Sequence, residues 1–398
     1  MKRFVLMLLS LSVFVSIFPA TISSAAKPLT EEQKFVQSFM TDRAYSEWLN
    51  KDVDLSKYMD VSETAITTYF LDKIALWREY RSQNGIEREN FSVCHDFLVK
   101  PEYEGIYIRV PVRETITYHV ANGPDESSVL VDNYIVSLIK RNQTYYVFDI
   151  ITENDWFDEK YRNDGFDSNT LLASWLADSI ETTLESIPTR STSSTTSTVH
   201  SYDVNSAIAY ALAYATNYNA NFRSYANSGG DCMNFASQCV YTGFGGVGTR
   251  PAIYYKLFPM DNSGNYLWYG GCSAGQGYSA SSASSSWKSC SNFRTYITNM
   301  NNTVEEGLLA YIWDVSSGNG NANVGLIAAT LLGSVLHVYN SSANTNYGHA
   351  LFVVNVTSTT RNGIYVCAHT ADRYNVAIGE IYTEAMKVIK PLGFRNNV

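Results

Sequence analysis

Between residues 31 and 84 the apolar positions recur at helical spacing: Phe35, Phe39 and Trp48, then Ile66, Tyr69, Phe70, Ile74 and Trp77. Residues three and four apart share a helix face, so the segment predicts helices with a buried stripe. After Asn90 the period shortens towards two. "FSVCHDFLV" (91–99), "GIYIRVPVRETITYHV" (105–120), "SSVLVDNYIVSLIK" (127–140) and "TYYVFDIITENDWF" (144–157) predict four strands, with the turn-rich "ANGPDESS" as a connection. Helices followed by a four-stranded antiparallel meander predict an α+β domain over 27–165, cystatin-like or NTF2-like in outline. Cys94 reads as core there, and His95 and His119 as structural histidines.

The patterning lapses over 166–200. A helical stretch passes into "IPTRSTSSTTSTVH" (187–200), where Ser and Thr dominate and His200 is the last residue. Such a segment cannot bury enough apolar surface to order itself and reads as a linker. A second α+β domain follows over 201–398. "DVNSAIAYALAYATNYN" (203–219) predicts a helix, as do "CMNFASQCVYT" (232–242) and "SWKSCSNFRTYITNM" (286–300). A Gly/Ser/Tyr-rich loop lies between the last two, and its tyrosines from Tyr254 to Tyr278 could stack on sugars or peptides. "GSVLHVYN" (333–340), "HALFVVNV" (349–356), "GIYVCAHT" (363–370) and "NVAIGEIY" (375–382) predict strands.

Composition and charge narrow the setting. Lys2 and Arg3, an apolar run from Phe4 to about Ala20, and small residues up to Ala26 follow the order of a secretory signal peptide. Cleavage after Ala26 is the expectation, with a membrane anchor as the alternative; the run is short for a stable span. No integral membrane segment is expected after signal removal, and the protein is expected outside the cell or at the cell wall. Loss of Lys2 and Arg3 takes the formal net charge from −9 to −11. An acidic chain gains nothing from a phosphate backbone, so nucleic acid is not an expected partner. Six cysteines in 398 residues do not make a disulfide scaffold. Cys272 and Cys290, which flank the Ser/Gly-rich loop, are a possible pair.

The segment "GGDCMNFASQCVYTGFGG" (229–246) carries the candidate chemistry. Asp231 stands as the N-cap of a helix whose first turn holds Cys232. A thiol there feels unpaired N–H groups and the positive end of the helix dipole, both of which favour thiolate. The same N–H groups can hold an oxyanion. A structural or disulfide role for Cys232 is the alternative. Cys239, two turns on, reads as packing. A nucleophilic thiol needs a base, and the base an orienter. His349 opens one predicted strand and His369 ends the next, so a hairpin would bring them together. His337, mid-strand, reads as core. Zinc held by one Cys and two His is the rival chemistry, but neither CxxC nor HExxH is present, and no metal or other cofactor is expected.

These residues resemble a known family. "YANSGGDCMNFASQCVYTGF", "SSSWKSC", "LLGSVLHVYNSSANTNYGHALFVV" and "AHTADRYN" are similar, in order, to motifs of the "putative amidase domain" of exported Gram-positive proteins, over residues 203 to 378. That family looks related to papain-like cell-wall peptidases of the NlpC type. The resemblance implies Cys232 as nucleophile, His349 as base and His369 as orienter, with Asp372 and Asn375 as backups for the third role. Asp231 and Tyr225 are implied supports, Tyr225 for the oxyanion. The implied activity is amide hydrolysis on peptidoglycan peptides. An inactive surface-binding module, and a secreted effector acting on a protein, are the alternatives. Met233 stands where the family has Thr, and Ser334 where it has Asp at a strand start.

Overall fold

A computed structural model describes residues 28–60, 64–83, 85–152, 181–183, 197–226, 231–246, 268, 270, 283–302, 307–316, 331–340, 345–358, 361–381 and 385–397. The expected signal peptide, most of 166–200, Cys272 and nearly all of the Tyr254–Tyr278 loop lie outside the described residues. The chain divides into two compact units, Met1–Leu176 and Ala177–Val398. Both combine helices with antiparallel sheet, so the α+β class holds for each.

In the first unit α1 (Glu31–Leu49) begins at a capping box: Gln33 N donates to Thr30 Oγ1 and Thr30 N to Gln33 Oε1. Asn50 ends it in the left-handed conformation, φ 51°. After α2 (Thr64–Gln83) come β1 (Arg88–Asp96), β2 (Glu102–Glu104), β3 (Tyr107–Val120), β4 (Ser128–Arg141) and β5 (Thr144–Thr152). The order is β1-β3-β4-β5, with β2 also paired to β3. Val36, Phe39 and Met40 of α1 bury against Ile108, Val110 and Val112 of β3 and Tyr134, Val136 and Leu138 of β4. Cys94, expected in the core, is exposed on β1, whereas His95 beside it is buried, because successive strand side chains face opposite ways. His119 is half-buried, with Ser127 Oγ 3.2 Å from its Nε2.

That buried His95 belongs to a charge cluster. Glu114 accepts from Arg43 Nη2 at 2.6 Å and lies 3.0 Å from His95 Nε2; Arg43 Nη1 also pairs with Glu47 at 3.0 Å. Burial alone would raise the Glu114 carboxyl, but the Arg43 charge and the His95 hydrogen bond hold it below its ordinary value.

The second unit holds β6 (Glu181–Thr183), β7 (Ser197–Ser201), α3 (Val204–Tyr214), α4 (Cys232–Thr242), α5 (Ser285–Lys288) and α6 (Cys290–Asn302). Its remaining strands are β8 (Gly307–Ser316), β9 (Val335–Asn340), β10 (Thr345–Val356), β11 (Ile364–Ala368), β12 (Asp372–Ala377) and β13 (Ala385–Asn397). They run in the order β12-β11-β10-β9-β13-β8-β6. One side of β13 pairs with β8 along its length. The other side takes β9 at Ala385–Ile389 and β7 at Gly393–Asn397. The end of the expected linker is therefore ordered: His200 sits opposite Phe394 in a strand. The predicted 286–300 helix is two helices, α5 and α6, parted at extended Ser289. The predicted strand 375–382 is displaced: β12 ends at Ala377, and Ile378–Glu380 is a 3-10 turn. Helices α3, α4 and α6 pack against β10.

Replacing Glu114 by Gln removes the charge opposite Arg43 while keeping the shape of the side chain. Breaking a buried pair this way costs about 3 kcal/mol or more. In urea unfolding of the full chain, the midpoint of the first unit is expected to fall. An unchanged midpoint would contradict the structural role assigned to the cluster.

Candidate active site at the start of helix α4

Two aspartates occupy N-cap positions in this unit and are used differently. Asp203 caps α3 in the ordinary way, its Oδ1 accepting from Asn205 N at 3.0 Å and Ser206 N at 3.2 Å. Asp231 precedes Cys232 at φ −113°, ψ 0°, and makes no side-chain cap hydrogen bond. Asp231 thus holds the expected N-cap position without making the usual side-chain cap. Its carboxylate turns inward: Oδ1 accepts from Tyr225 N at 2.5 Å and Asn234 Nδ2 at 2.8 Å, and Oδ2 accepts from His369 Nδ1 at 2.8 Å. The first N–H groups of α4 are thus not taken by the residue that would normally satisfy them.

His369 holds that arrangement. Its Nδ1 meets the Asp231 carboxylate and its Nε2 donates to the Tyr214 carbonyl at 2.7 Å. Both partners are acceptors, so both ring nitrogens carry protons and the ring is an imidazolium. Burial alone would lower its pKa. The Asp231 hydrogen bond, the charges of Asp372 and Asp231, and the Tyr214 hydrogen bond together raise it. The ring lies between Phe235, stacked at 4.2 Å, and Tyr218, also at 4.2 Å. The next two residues, Thr370 and Ala371, complete the connection between β11 and β12 at φ 62° and 64°. A β-branched residue at positive φ is strained. Here Thr370 Oγ1 accepts from Asp231 N at 2.6 Å, so the strained turn is tied to the same aspartate.

The hairpin expected to join the two histidines is present. β10 and β11 pair antiparallel with Phe352 opposite Cys367, which carries His349 and His369 to one end of it. His369 does not orient His349, however, because both its nitrogens are engaged elsewhere. Among the described residues no carboxylate or amide side chain is hydrogen-bonded to His349. His349 is half-buried on β10, opposite Val338 of β9.

Cys232 is buried, 8 % exposed. The Cys290 thiol, at the first position of α6, the His349 ring and the Ala350 N–H are the polar groups that act on it most strongly. Sγ also lies 3.9 Å from the Gly348 carbonyl, which can accept from the neutral thiol. The Cys290 thiol acts first. Burial opposes it, and the His349 ring and the Ala350 N–H add to it. The Cys232 thiol is thereby held well below its ordinary value. The same pairing acts in the opposite sense on Cys290, whose proton is retained by the neighbouring Cys232 sulfur, by burial and by the Cys232 charge. Among the described residues, the arrangement is a Cys–His dyad with a second thiol rather than a triad.

A second layer fixes this geometry. Trp287 Nε1 donates to Asn234 Oδ1 at 2.7 Å, and Ser237 Oγ to Trp287 O at 2.8 Å, tying α4 to α5 immediately before Cys290. Arg294 Nη1 donates to His337 Nδ1 at 3.0 Å, leaving His337 Nε2–H directed at Met233 Sδ, 3.2 Å away. His337 is fully buried, and burial followed by the Arg294 charge holds it neutral, well below the usual histidine value. Met233, where the resembling family has Thr, thus has a partner of its own. Ser334 lies just before β9, with its carbonyl accepting from Val353 N at 2.9 Å.

The other expected residues fall around the dyad. Tyr225 is buried, and its hydroxyl accepts from Ala283 N at 2.5 Å. Asp372 accepts from Tyr218 OH at 3.4 Å and adds charge near His369. Asn375 is buried at φ 51°, its N–H donating to Cys367 Sγ at 3.5 Å. Cys239 is fully buried, and burial raises its pKa well above the usual value. Cys290, Arg294 and Thr370 were missed from the sequence. Only the cysteine beside the Ser-Trp element offered a signal, and its position fitted a pairing with Cys272 equally well.

The His369 imidazolium sets a pH dependence. Its pKa is raised on folding, so its contribution is full below the unfolded value of about 6.5 and is lost as pH rises through the folded value. Denaturant midpoints of the second unit are expected to fall from about pH 6.5 upward. His369→Gln should lower stability at about pH 6 by about 3 kcal/mol or more and flatten that fall. Parallel pH profiles for wild type and variant would contradict the ion pair.

No curated protein and no solved structure matches the chain. Residues 201–389, which contain Cys232, Cys290, His349 and His369, match the family model described as "Putative amidase domain", which supports an amidase domain here and, with it, hydrolysis of amide bonds.

Proposed function

We propose that the second unit is a cysteine-dependent amidase in which Cys232 is the nucleophile and His349 the acid–base group. The observation that carries this reading is a buried cysteine at the start of a helix whose Sγ lies 3.9 Å from the Gly348 carbonyl, one residue before His349 on β10. A helix start and a neighbouring imidazole in a water-poor setting favour the thiolate–imidazolium form, the attacking state of a cysteine hydrolase.

The chemistry follows from the positions. The thiolate attacks the amide carbonyl, and the His349 imidazolium gives its proton to the departing amine. A thioester on Cys232 results. Neutral His349 then takes a proton from water, which attacks the thioester and releases the acid and the thiolate. In each step negative charge builds on the carbonyl oxygen as the tetrahedral intermediate forms. The first-turn N–H groups of α4, which the Asp231 side chain leaves free, supply the oxyanion donors. His369 is a positioning residue: it fixes Asp231 and so the start of α4.

A cysteine at a helix N-terminus against a strand-borne histidine supports a papain-like, NlpC-type domain. The helices packed on a four-stranded antiparallel sheet support the cystatin-like or NTF2-like outline of the first unit. The signal-like N-terminus supports secretion, and secretion with the family resemblance supports peptidoglycan stem peptides or cross-bridges as substrate. Among the described residues no helix is long and apolar enough to cross a membrane.

The mature chain incubated with purified peptidoglycan is expected to release new amino groups, seen as shortened muropeptides by mass spectrometry. Cys232→Ala should abolish release, and His349→Ala should lower kcat/KM between about 10²- and 10⁴-fold. Release undiminished in Cys232→Ala would overturn the assignment. Hydrolysis of a protein substrate but not peptidoglycan would move the substrate to a secreted-effector role while keeping the dyad.

A further inference from the structure

Two helices begin at the same place with the same side chain. Cys232 is the first residue of α4 and Cys290 the first of α6; both are buried free thiols, near enough to act on one another electrostatically. The pair is braced on either side. Trp287, three residues before Cys290, is bonded through its indole to Asn234 and through its carbonyl to Ser237, both on α4. Both helices also pack on β10, which carries His349. Amide hydrolysis as described above uses one sulfur and leaves the chemical purpose of the second unassigned.

We propose that Cys232 and Cys290 are a hydroperoxide-sensitive thiol pair, in which Cys232 is the oxidised sulfur, Cys290 the resolving one, and the disulfide between them a reversible off state of the site. The pair goes beyond the hydrolase reading, since it requires a reactive Cys232 but no amide substrate. Cys232 thiolate attacks the terminal oxygen of a hydroperoxide; an S–O bond forms and the O–O bond breaks. The leaving alkoxide takes a proton from the His349 imidazolium, giving an alcohol and Cys232 sulfenic acid. The Cys290 sulfur then attacks the Cys232 sulfur, forming S–S and breaking S–O, and its proton leaves with the hydroxyl as water. Two thiols lose two electrons, and the hydroperoxide becomes an alcohol and water.

The rest of the molecule supplies a contrast. Cys239 and Cys367 are also near enough to act on one another electrostatically, yet both are fully buried and both thiols are pushed upward by burial, Cys367 to about 12. Among the described residues no histidine acts on either of them, so they should stay reduced while the pair at the helix starts reacts. Cys290 is placed to intercept the sulfenic acid before a second hydroperoxide carries Cys232 on to the sulfinic acid, which thiols do not reverse.

The test is peroxide treatment of the reduced full chain, followed by iodoacetamide labelling and non-reducing peptide mapping. The expected result is a peptide joining Cys232 to Cys290, loss of Cys232 labelling, and its full return after dithiothreitol, with Cys239 and Cys367 labelled only after unfolding. In Cys290→Ser the loss should become irreversible and Cys232 should be recovered as sulfinic acid. Recovery of wild-type Cys232 as sulfinic acid without the joined peptide would overturn the proposal, as would joining to a different cysteine. Cys232 that labels in the reduced protein yet forms no disulfide would sink the pair alone. Cys232 that never labels without unfolding would sink the nucleophile as well.

Discussion

The second unit depends on one buried ion pair. Asp231 and His369 meet at 2.8 Å with both side chains about 1 % exposed. Such a pair gains little net stability over a well-packed apolar alternative, because both charges have left water. Its consequence is positional. Held by His369, the Asp231 carboxylate cannot cap α4; it instead binds the chain upstream at Tyr225 N and the helix itself at Asn234. The helix start is fixed from outside, and the Asp231 side chain does not occupy its first N–H groups. The strained Thr370 turn closes the same knot from the sheet side through Asp231 N.

With the helix start fixed, the environment of the sulfur follows. Cys232 is buried, which by itself would favour the neutral thiol, yet the neighbouring Cys290 thiol, His349 ring and Ala350 N–H lower its pKa. The same neighbourhood shifts two chemically identical side chains in opposite directions, Cys232 downward and Cys290 upward. The difference leaves one sulfur to attack and another that holds its proton more tightly.

Much of this was legible in the chain, for reasons that can be named. Helix α4 and the strand carrying His349 announce themselves because Cys232 follows a Gly/Asp breaker and His349 opens an apolar run. The hairpin that gathers His349 and His369 follows from antiparallel pairing of adjacent strands. What the pattern could not supply was where each ring nitrogen goes. The Tyr214 carbonyl and the Asp231 carboxylate reach His369 from sequence positions more than a hundred residues away, and no periodicity encodes that. Cys290 was visible but ambiguous, since spacing does not fix sulfur contacts. Strand β13 was missed because Pro391 and Gly393 interrupt its run; a register shift between those residues absorbs the break and lets pairing with β8 continue. The exposed Cys94 shows the limit of reading a single apolar residue in an alternating strand: a one-residue change of phase moves it from core to solvent.

The most direct measurement is the rate of Cys232 alkylation by iodoacetamide as a function of pH, in the reduced mature chain and in His349→Ala. An activated dyad predicts fast labelling well below the ordinary thiol value of about 8.5, with the His349 variant slower and its profile moved upward. A Cys232 that labels only near or above that value, with the same profile in both proteins, would contradict the account.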